Sequence, residues 1–271
     1  MSNQEVPDLA KKVQQQFGTY AQNYVSSPVH SSSYSLDRLL DLAAIEPGQK
    51  SLDVATGGGH VALGLAKRGA DVTASDVTPK MLDAARAFIS AQLESFPNSG
   101  RVSYAQVNAL ALPYATVSLD RVTCRIAAHH FPSAEQFVRE ATRVTRPGGM
   151  VCVVDQIAPA NDRDAADYVN AFERLRDPSH KWEHNQPDWE SFFDLAGLRI
   201  SHVEVCRNRL EFGWWVRMQQ CPPDVVTRLE VMLRQAPAVV NDWLQPELVE
   251  PGAPGAMYFS LWQLILIGVK G

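Results

Sequence analysis

The sequence is poor in cysteine and has no surplus of positive charge, and each shortage narrows its function. Its four cysteines, Cys124, Cys152, Cys206 and Cys221, are scattered through 271 residues and none forms a CxxC pair. Zinc-ribbon and thioredoxin-type chemistry therefore lose their main support. Cys124, Cys152 and Cys206 sit in apolar runs, where a free thiol behaves as a small hydrophobe, and a reducing cytoplasm is the expected setting. Lys and Arg number 25 against 30 Asp and Glu, a formal charge of −5. Nucleic acid is thus not an expected partner, because neutralising phosphates needs clustered cations. Long hydrophobic runs are also missing. The longest apolar stretch, residues 257–269, is broken by Ser260 and Gln263 and falls short of the ~20 residues that span a bilayer. It reads as a buried strand, and no membrane span is expected. MSNQEVPDLAKKVQQQF at the N-terminus has no apolar core behind its charges, so no secretory signal is expected either.

What is present is ordinary for a folded protein: 45% hydrophobic and 20% charged residues, in a length that suits one large or elaborated domain. From residue 49 to 155, β-rich runs alternate with helical patterns: KSLDVA, HVALGLAKRG, ADVTAS, PKMLDAARAFISAQL, RVSYAQV, LDRVTCRIA, AEQFVREATRVT and MVCVVD. Strands separated by helix-length segments imply parallel pairing through crossovers, hence an α/β, doubly wound sheet. Thr78 before Pro79 reads as an N-cap with proline in the first turn. Pro147-Gly148-Gly149 reads as the helix stop before a strand starting at Met150. Ahead of this core, FGTYAQNYVSSPVHSSS is polar, aromatic and serine-rich, and DRLLDLAAI is amphipathic. Beyond it come helical patterns at 162–175, 187–196 and 225–234, a β-rich RISHVEVC, the Trp-rich FGWWVRMQQ and the final MYFSLWQLILIGV. These late segments break the βαβ rhythm and are expected to form a cap over the sheet.

The strongest chemical signal is LDVATGGGH, residues 52–60, between a strand and a helix. Gly57, Gly58 and Gly59 permit close approach of a ligand to backbone and to the unpaired amides of the helix start. Asp76 ends the next strand, where a carboxylate can accept hydrogen bonds from ribose hydroxyls. An adenosine-type cofactor follows. The contiguous glycines depart from the GxGxxG of dinucleotide sites, which leaves an NAD-dependent dehydrogenase as a weak alternative.

Here the sequence resembles the class I S-adenosylmethionine-dependent methyltransferases, in particular the group related to the ubiquinone and menaquinone C-methyltransferases. Asp53, Ala55, Gly57 and Gly59 fall on the fixed positions of the family's D-x-G-x-G-x-G, with Ala55 replacing the first glycine. SDVTPKML matches the second motif, which places Asp76 at the ribose and Val77 and Met81 against adenine. VNALALPY matches the third, with Asn108 where the family has an adenine-binding Asp. LDRVTCRIAAHHF matches the fourth strand and its loop.

The resemblance implies a Rossmann-like, seven-stranded, mostly parallel sheet. It implies an N-terminal helical lid (1–45), a cofactor-binding core (46–156), and C-terminal cap helices with the last two strands (157–271). It implies S-adenosylmethionine as cofactor, with S-adenosylhomocysteine as product, held by Asp53, Ala55, Thr56, Gly57, Gly59, Asp76, Val77, Met81, Asn108, Ala109, Leu110 and Arg125. Tyr20, Tyr24 and His30 belong to the lid. The candidate bases are His130, His129, Asp155 and Tyr24.

Since His129 and His130 are adjacent, an extended chain would point them to opposite sides; the resemblance places His130 in the pocket, as the closer match to the family's loop position, with His129 close behind. Asp155 closes the fifth strand, where it could orient an acceptor, act as a base or cap the next loop. RLRDPSHKWEH offers Arg176 and His180 to the acceptor. A metal on His180 and His184 is weighed and set aside, because Pro178 and Ser179 oppose a helix there; a solvated loop is expected. Of the adjacent Trp214 and Trp215, one is expected to face the cap interior and the other a pocket or solvent.

The expected activity is methyl transfer to O, N or C of a small molecule. The alternatives are a non-methylating enzyme on the same fold, such as a cyclase, or a non-catalytic cofactor binder. A homodimer is left open.

Overall fold

The computed structural model describes residues 33–250 and 255–271. The chain begins with α1 (Tyr34–Leu42), whose N-terminus is capped by Ser33 Oγ accepting the Leu36 amide. Then β1 (Lys50–Val54), α2 (His60–Lys67), β2 (Asp71–Asp76), α3 (Pro79–Leu93), β3 (Val102–Gln106) and β4 (Leu119–Arg125) follow in the expected alternation. A single 3-10 turn, Ala128–His130, precedes α4 (Ala134–Val144) and β5 (Thr145–Ile157). The remaining elements are α5 (Arg163–Arg176), α6 (Gln186–Leu195), β6 (Leu198–Glu211), α7 (Phe212–Met218), α8 (Pro223–Arg234), α9 (Ala238–Leu244) and β7 (Tyr258–Lys270).

The seven strands form one sheet in the order β3-β2-β1-β4-β5-β7-β6. Pairings among β1 to β5 are parallel, and β7 runs antiparallel to both β5 and β6. The run 257–269 is thus an interior strand, as its apolar character requires. Because β1 and β4 are neighbours while the chain visits β2 and β3 between them, their C-terminal ends diverge into a crevice, the usual ligand position in such sheets.

Two sheet faces bury separate apolar clusters. On one, α1, α2 and α3 bring Leu39, Leu65 and Ile89 against Val72, Val154 and Ile265. On the other, α4 and α6 bring Phe137, Trp189 and Phe193 against Val54, Val122 and Val153. A third cluster lies at the far end, where α5, α7, α8 and α9 pack Phe172, Trp215, Leu229 and Leu233 around Phe259 of β7. Each such side chain contributes about 1.5–3 kcal/mol on burial. Phe172 stacks on Trp215 at 4.9 Å and meets Phe259 edge-on at 5.6 Å, so three rings join the cap to the sheet.

Two local expectations change. Thr78 does occupy the extended position before Pro79, but its hydroxyl caps nothing; its amide instead donates to Asp76 Oδ1 at 2.9 Å. The strand placed from Met150 begins at Thr145, directly after α4, and includes Pro147-Gly148-Gly149. These residues form an irregularity in the ladder with β4, where pairing moves from Leu119↔Thr145 to Arg121↔Met150. The strand absorbs the glycines as a bulge because Gly148 supplies a left-handed φ of 74°.

Candidate active site

The loop after β1 is built by alternating conformations. Ala55, Gly57 and Gly59 have φ values of 53°, 53° and 86°, a region open to glycine and costly for a residue with a Cβ. At Gly59 a Cβ would also stand 2.8 Å from Ile89 Cδ1, so a side chain there would have to displace Ile89 in addition to adopting the left-handed φ. Ala55 adopts the same hand without that freedom and carries strain.

Beneath the loop, Asp53 is almost fully buried. Its Oδ2 accepts from Thr56 Oγ1 at 2.6 Å and its Oδ1 from Thr123 Oγ1 at 2.7 Å. Burial pushes this carboxyl up to about 6, against the pull of both hydroxyls. Asp53 therefore braces β1, the loop and β4 from below. Asp76 ties the loop from the side: Oδ2 accepts from the Gly57 amide at 3.1 Å and Oδ1 from Thr78. Burial raises its carboxyl, with these amides opposing the shift. Met81 lies under the loop, its Cε 3.7 Å from where a Gly57 Cβ would be. Asn108 is exposed, and its Oδ1 accepts from the Leu110 amide at 2.9 Å. Val77 and Leu110 are half-buried, and Thr56 and Ala109 buried, around the same strand ends. Arg125, at the end of β4, donates through Nη2 to Ser33 Oγ at 2.7 Å, and burial lowers it to about 10.

One strand further on, a cleft enclosing about 660 Å³, open mouth included, lies over the ends of β4 and β5. Ile126, His129, His130 and Gln156 come from the sheet side, and Glu173, Arg176, Asp177 and His180 from α5 and the segment after it. Trp214, Trp215 and Met218 come from α7, Gln219 from its C-cap, and Gln263 from β7. Ile126 enters it with φ of 52°, an outlier for a β-branched residue, held by its amide bonding Val154 O at 2.7 Å.

This strained corner starts the 3-10 turn that carries both histidines into one cleft. Their rings are 4.1 Å apart, so the extended-chain premise that set them on opposite sides fails because the backbone is turned. Asp155, 1% exposed, accepts from His129 twice: the ring Nδ1 at 2.6 Å and the backbone amide at 2.8 Å. Burial alone would lower the His129 imidazole, but the Asp155 carboxylate outweighs it and the net shift is upward. His130 behaves oppositely. Burial and the neighbouring His129 lower it to about 4, which leaves it neutral with Nδ1 donating to Ser179 O at 3.1 Å.

The segment expected as a solvated loop is buried. Asp177, Ser179, His180 and Glu183 are each 4% exposed or less. The amides of Lys181 and Trp182 both donate to His129 O, and Asp177 accepts from Ser179 and from Gln219 Nε2. Polar composition suggested solvent; the partners that bury it come from elsewhere in the chain. His184 does not join His180 and instead meets Phe192 edge-on at 4.9 Å and Asp188 at 3.6 Å. Arg176 lines the cleft, its Nε bonding Trp215 O at 3.1 Å and its guanidinium 4.6 Å over the Trp215 ring. Trp215 is buried and Trp214 half-buried, and both line the cleft.

Tyr20, Tyr24 and His30 lie outside the described residues. Glu173, Glu183 and Gln156 were not singled out from sequence. The first was detectable: it shares the buried stripe of α5 with Val169 and Phe172.

Comparison with known proteins agrees with this architecture. Residues 52–153 match the model of a methyltransferase domain. The uncharacterized methyltransferase YcgJ of Bacillus subtilis is 29% identical over 254 residues, 94% of this chain and 97% of its own. Its crystal structure superposes with a TM-score of 0.79 over 88% of this chain and 98% of that one. The uncharacterized methyltransferase sll0829 of Synechocystis is 31% identical over 59% of this chain and 72% of its own. The ubiquinone/menaquinone C-methyltransferase UbiE of Cereibacter sphaeroides is 28% identical over 66% of this chain and 78% of its own. A sheet of this order with its glycine loop at the crevice, together with these likenesses, makes the chain a member of the class I S-adenosylmethionine-dependent methyltransferase family.

Proposed function

We propose that the protein transfers a methyl group from S-adenosylmethionine to a small-molecule acceptor seated in the cleft over His129. The observation that carries this reading is the Asp155-held His129, one strand away from the glycine loop. β1 and β4 pair as far as Val54↔Cys124, so the loop after the first and the cleft after the second are neighbours.

The residues around the loop fit the cofactor. The loop carries no side chain from Gly57 to Gly59, and the Asp76 carboxylate, held by the Gly57 and Thr78 amides at the strand end, is the acceptor for ribose hydroxyls. Bound S-adenosylmethionine would supply a methyl group already attached to a good leaving group, so the protein's work is alignment and exclusion of water.

His129 is the proposed general base. Asp155 fixes its tautomer by accepting from Nδ1, which leaves Nε2 to take the acceptor's proton, and the buried carboxylate stabilises the imidazolium that results. His130, neutral through the physiological range, orients the acceptor as a hydrogen-bonding partner. Arg176, Gln156 and the Trp214 ring supply polar and aromatic recognition typical of a small-ligand cleft.

Two measurements test the reading. Calorimetry with S-adenosylhomocysteine should give binding at least tenfold weaker in Asp76→Ala; equal affinity removes the cofactor assignment. Incubating the protein with labelled donor and a metabolite extract should place the label in the low-molecular-mass fraction. Label found only in macromolecules, or none transferred, overturns the small-acceptor assignment.

A further inference from the structure

Behind the cleft, three side chains converge that methyl transfer does not use. One carboxylate oxygen each from Glu173 and Glu183 and one ring nitrogen of His180 lie within 4.8 Å of one another. The residues are 3%, 1% and 4% exposed. Glu173 and His180 line the acceptor cleft, and Glu183 lines a second cavity with Trp182 and His184.

Two independent features single out this trio. Oε1 of Glu173 and Oε1 of Glu183 are both buried with no hydrogen-bond partner among the described residues. A buried carboxylate oxygen with no hydrogen bond is costly, and two of them side by side are a cost that folded proteins rarely leave standing. Arg176 acts on Glu173 through its charge, but its Nε hydrogen bond goes to Trp215 O and its guanidinium lies over the Trp215 ring.

The second feature is the fixed orientation of His180. Asn170 donates through Nδ2 to Ala166 O and Glu183 O, so its Oδ1 is an acceptor, and it takes both the Glu183 amide at 2.6 Å and His180 Nε2 at 2.9 Å. The proton this bond puts on Nε2 leaves Nδ1 as the ring nitrogen able to ligate. A histidine whose far nitrogen donates to an amide oxygen is the arrangement that outer-sphere groups impose on metal-binding imidazoles.

The geometry points to a divalent transition-metal site formed by Glu173, His180 and Glu183, with a coordination position left toward the acceptor cleft. Two carboxylates and a neutral imidazole around a dication sum to zero charge, which removes the desolvation problem at once. The imidazole ligand favours zinc or cobalt over calcium and magnesium, which prefer all-oxygen shells. This site does not depend on the methyl-transfer reading.

The test uses the full chain, stripped with chelator and dialysed against zinc chloride or cobalt chloride. We expect about one zinc per chain, affinity at least tenfold weaker in Glu183→Gln, and a cobalt spectrum with d–d bands and no thiolate charge-transfer band. Wild-type protein that retains no metal overturns the site. So does equal binding by wild type and Glu183→Gln, or a thiolate band, which would assign the metal to cysteine. Melting in chelator confirms that Glu183→Gln folds; should it not, Glu173→Gln takes its place with the same two outcomes.

Discussion

His129 Nδ1 lies 2.6 Å from Asp155 Oδ1, while the backbone amide of the same histidine donates to the other carboxylate oxygen at 2.8 Å. Two bonds from one residue to one buried carboxylate fix the ring and its tautomer together. With its pKa raised above the ordinary imidazole value of 6.5, His129 binds a proton in the folded protein more tightly than in the unfolded chain. Its pairing therefore stabilises the fold fully below about pH 6.5, and that contribution fades as pH rises through the folded value.

Replacing Asp155 by Asn should bring the His129 titration down, which histidine ring resonances followed by NMR against pH will read directly. An unchanged midpoint would remove Asp155 as the cause of the shift. With an acceptor that must lose a proton, the rate in Asp155→Asn should fall by tenfold or more, in the range expected for general-base catalysis.

Ala55 gives a prediction of opposite sign. A φ of 53° costs an L-residue about 1–2 kcal/mol, and glycine gives back part of that through the entropy of its unfolded chain. Ala55→Gly should raise stability by about 0.5–1 kcal/mol, seen as a higher urea midpoint with unchanged slope. A lower midpoint would mean that the alanine methyl packs well enough to outweigh its strain.

The Thr123 hydroxyl holds a carboxyl that burial has already pushed to about 6. Folded Asp53 keeps its proton to higher pH than the unfolded value of 3.8, so its ionisation erodes stability between about pH 3.8 and 6. Thr123→Val removes a bond that favours the ionised form. It should cost about 1–3 kcal/mol at pH 8 and visibly less at pH 5, where the carboxyl is protonated. Denaturant curves at the two pH values decide it, and equal losses would show that the hydroxyl is not serving the charge.

Phe172 stands where cap and sheet meet. Phe172→Ala removes the ring stacked on Trp215 and edge-on to Phe259 and should cost about 3–5 kcal/mol. S-adenosylhomocysteine binding at the remote glycine loop should survive in the folded fraction. Loss of both together would tie the cap to the loop more tightly than their separate apolar clusters suggest.

The sequence revealed what is local. LDVATGGGH and SDVTPKML carry their own turn chemistry, and the alternation of KSLDVA with HVALGLAKRG reports a parallel strand and its crossover without help from distant residues. The histidine pair was misread because its geometry depends on the left-handed Ile126, which nothing in an isoleucine announces. The segment from Asp177 to Glu183 was misread for a related reason. Its polarity is satisfied by His129 O, Gln219 and Asn170, partners 10 to 53 residues away in the chain, so composition pointed to water where tertiary structure supplies protein. Bulged glycines at the start of β5 were mistaken for a boundary because the same residues serve both ends.

The position of β7 between β5 and β6 bears on how the molecule is made. As the ribosome releases the chain, β1 to β5 can join side by side, yet β6 emerges with no strand to pair with until β7 arrives some fifty residues later. Until then its fourteen residues present open backbone edges, and Asn208 and Leu210 have no cleft to line. The cleft is thus the last part of the protein to exist, and a nascent chain holds a finished glycine loop well before the cleft beside it has its walls.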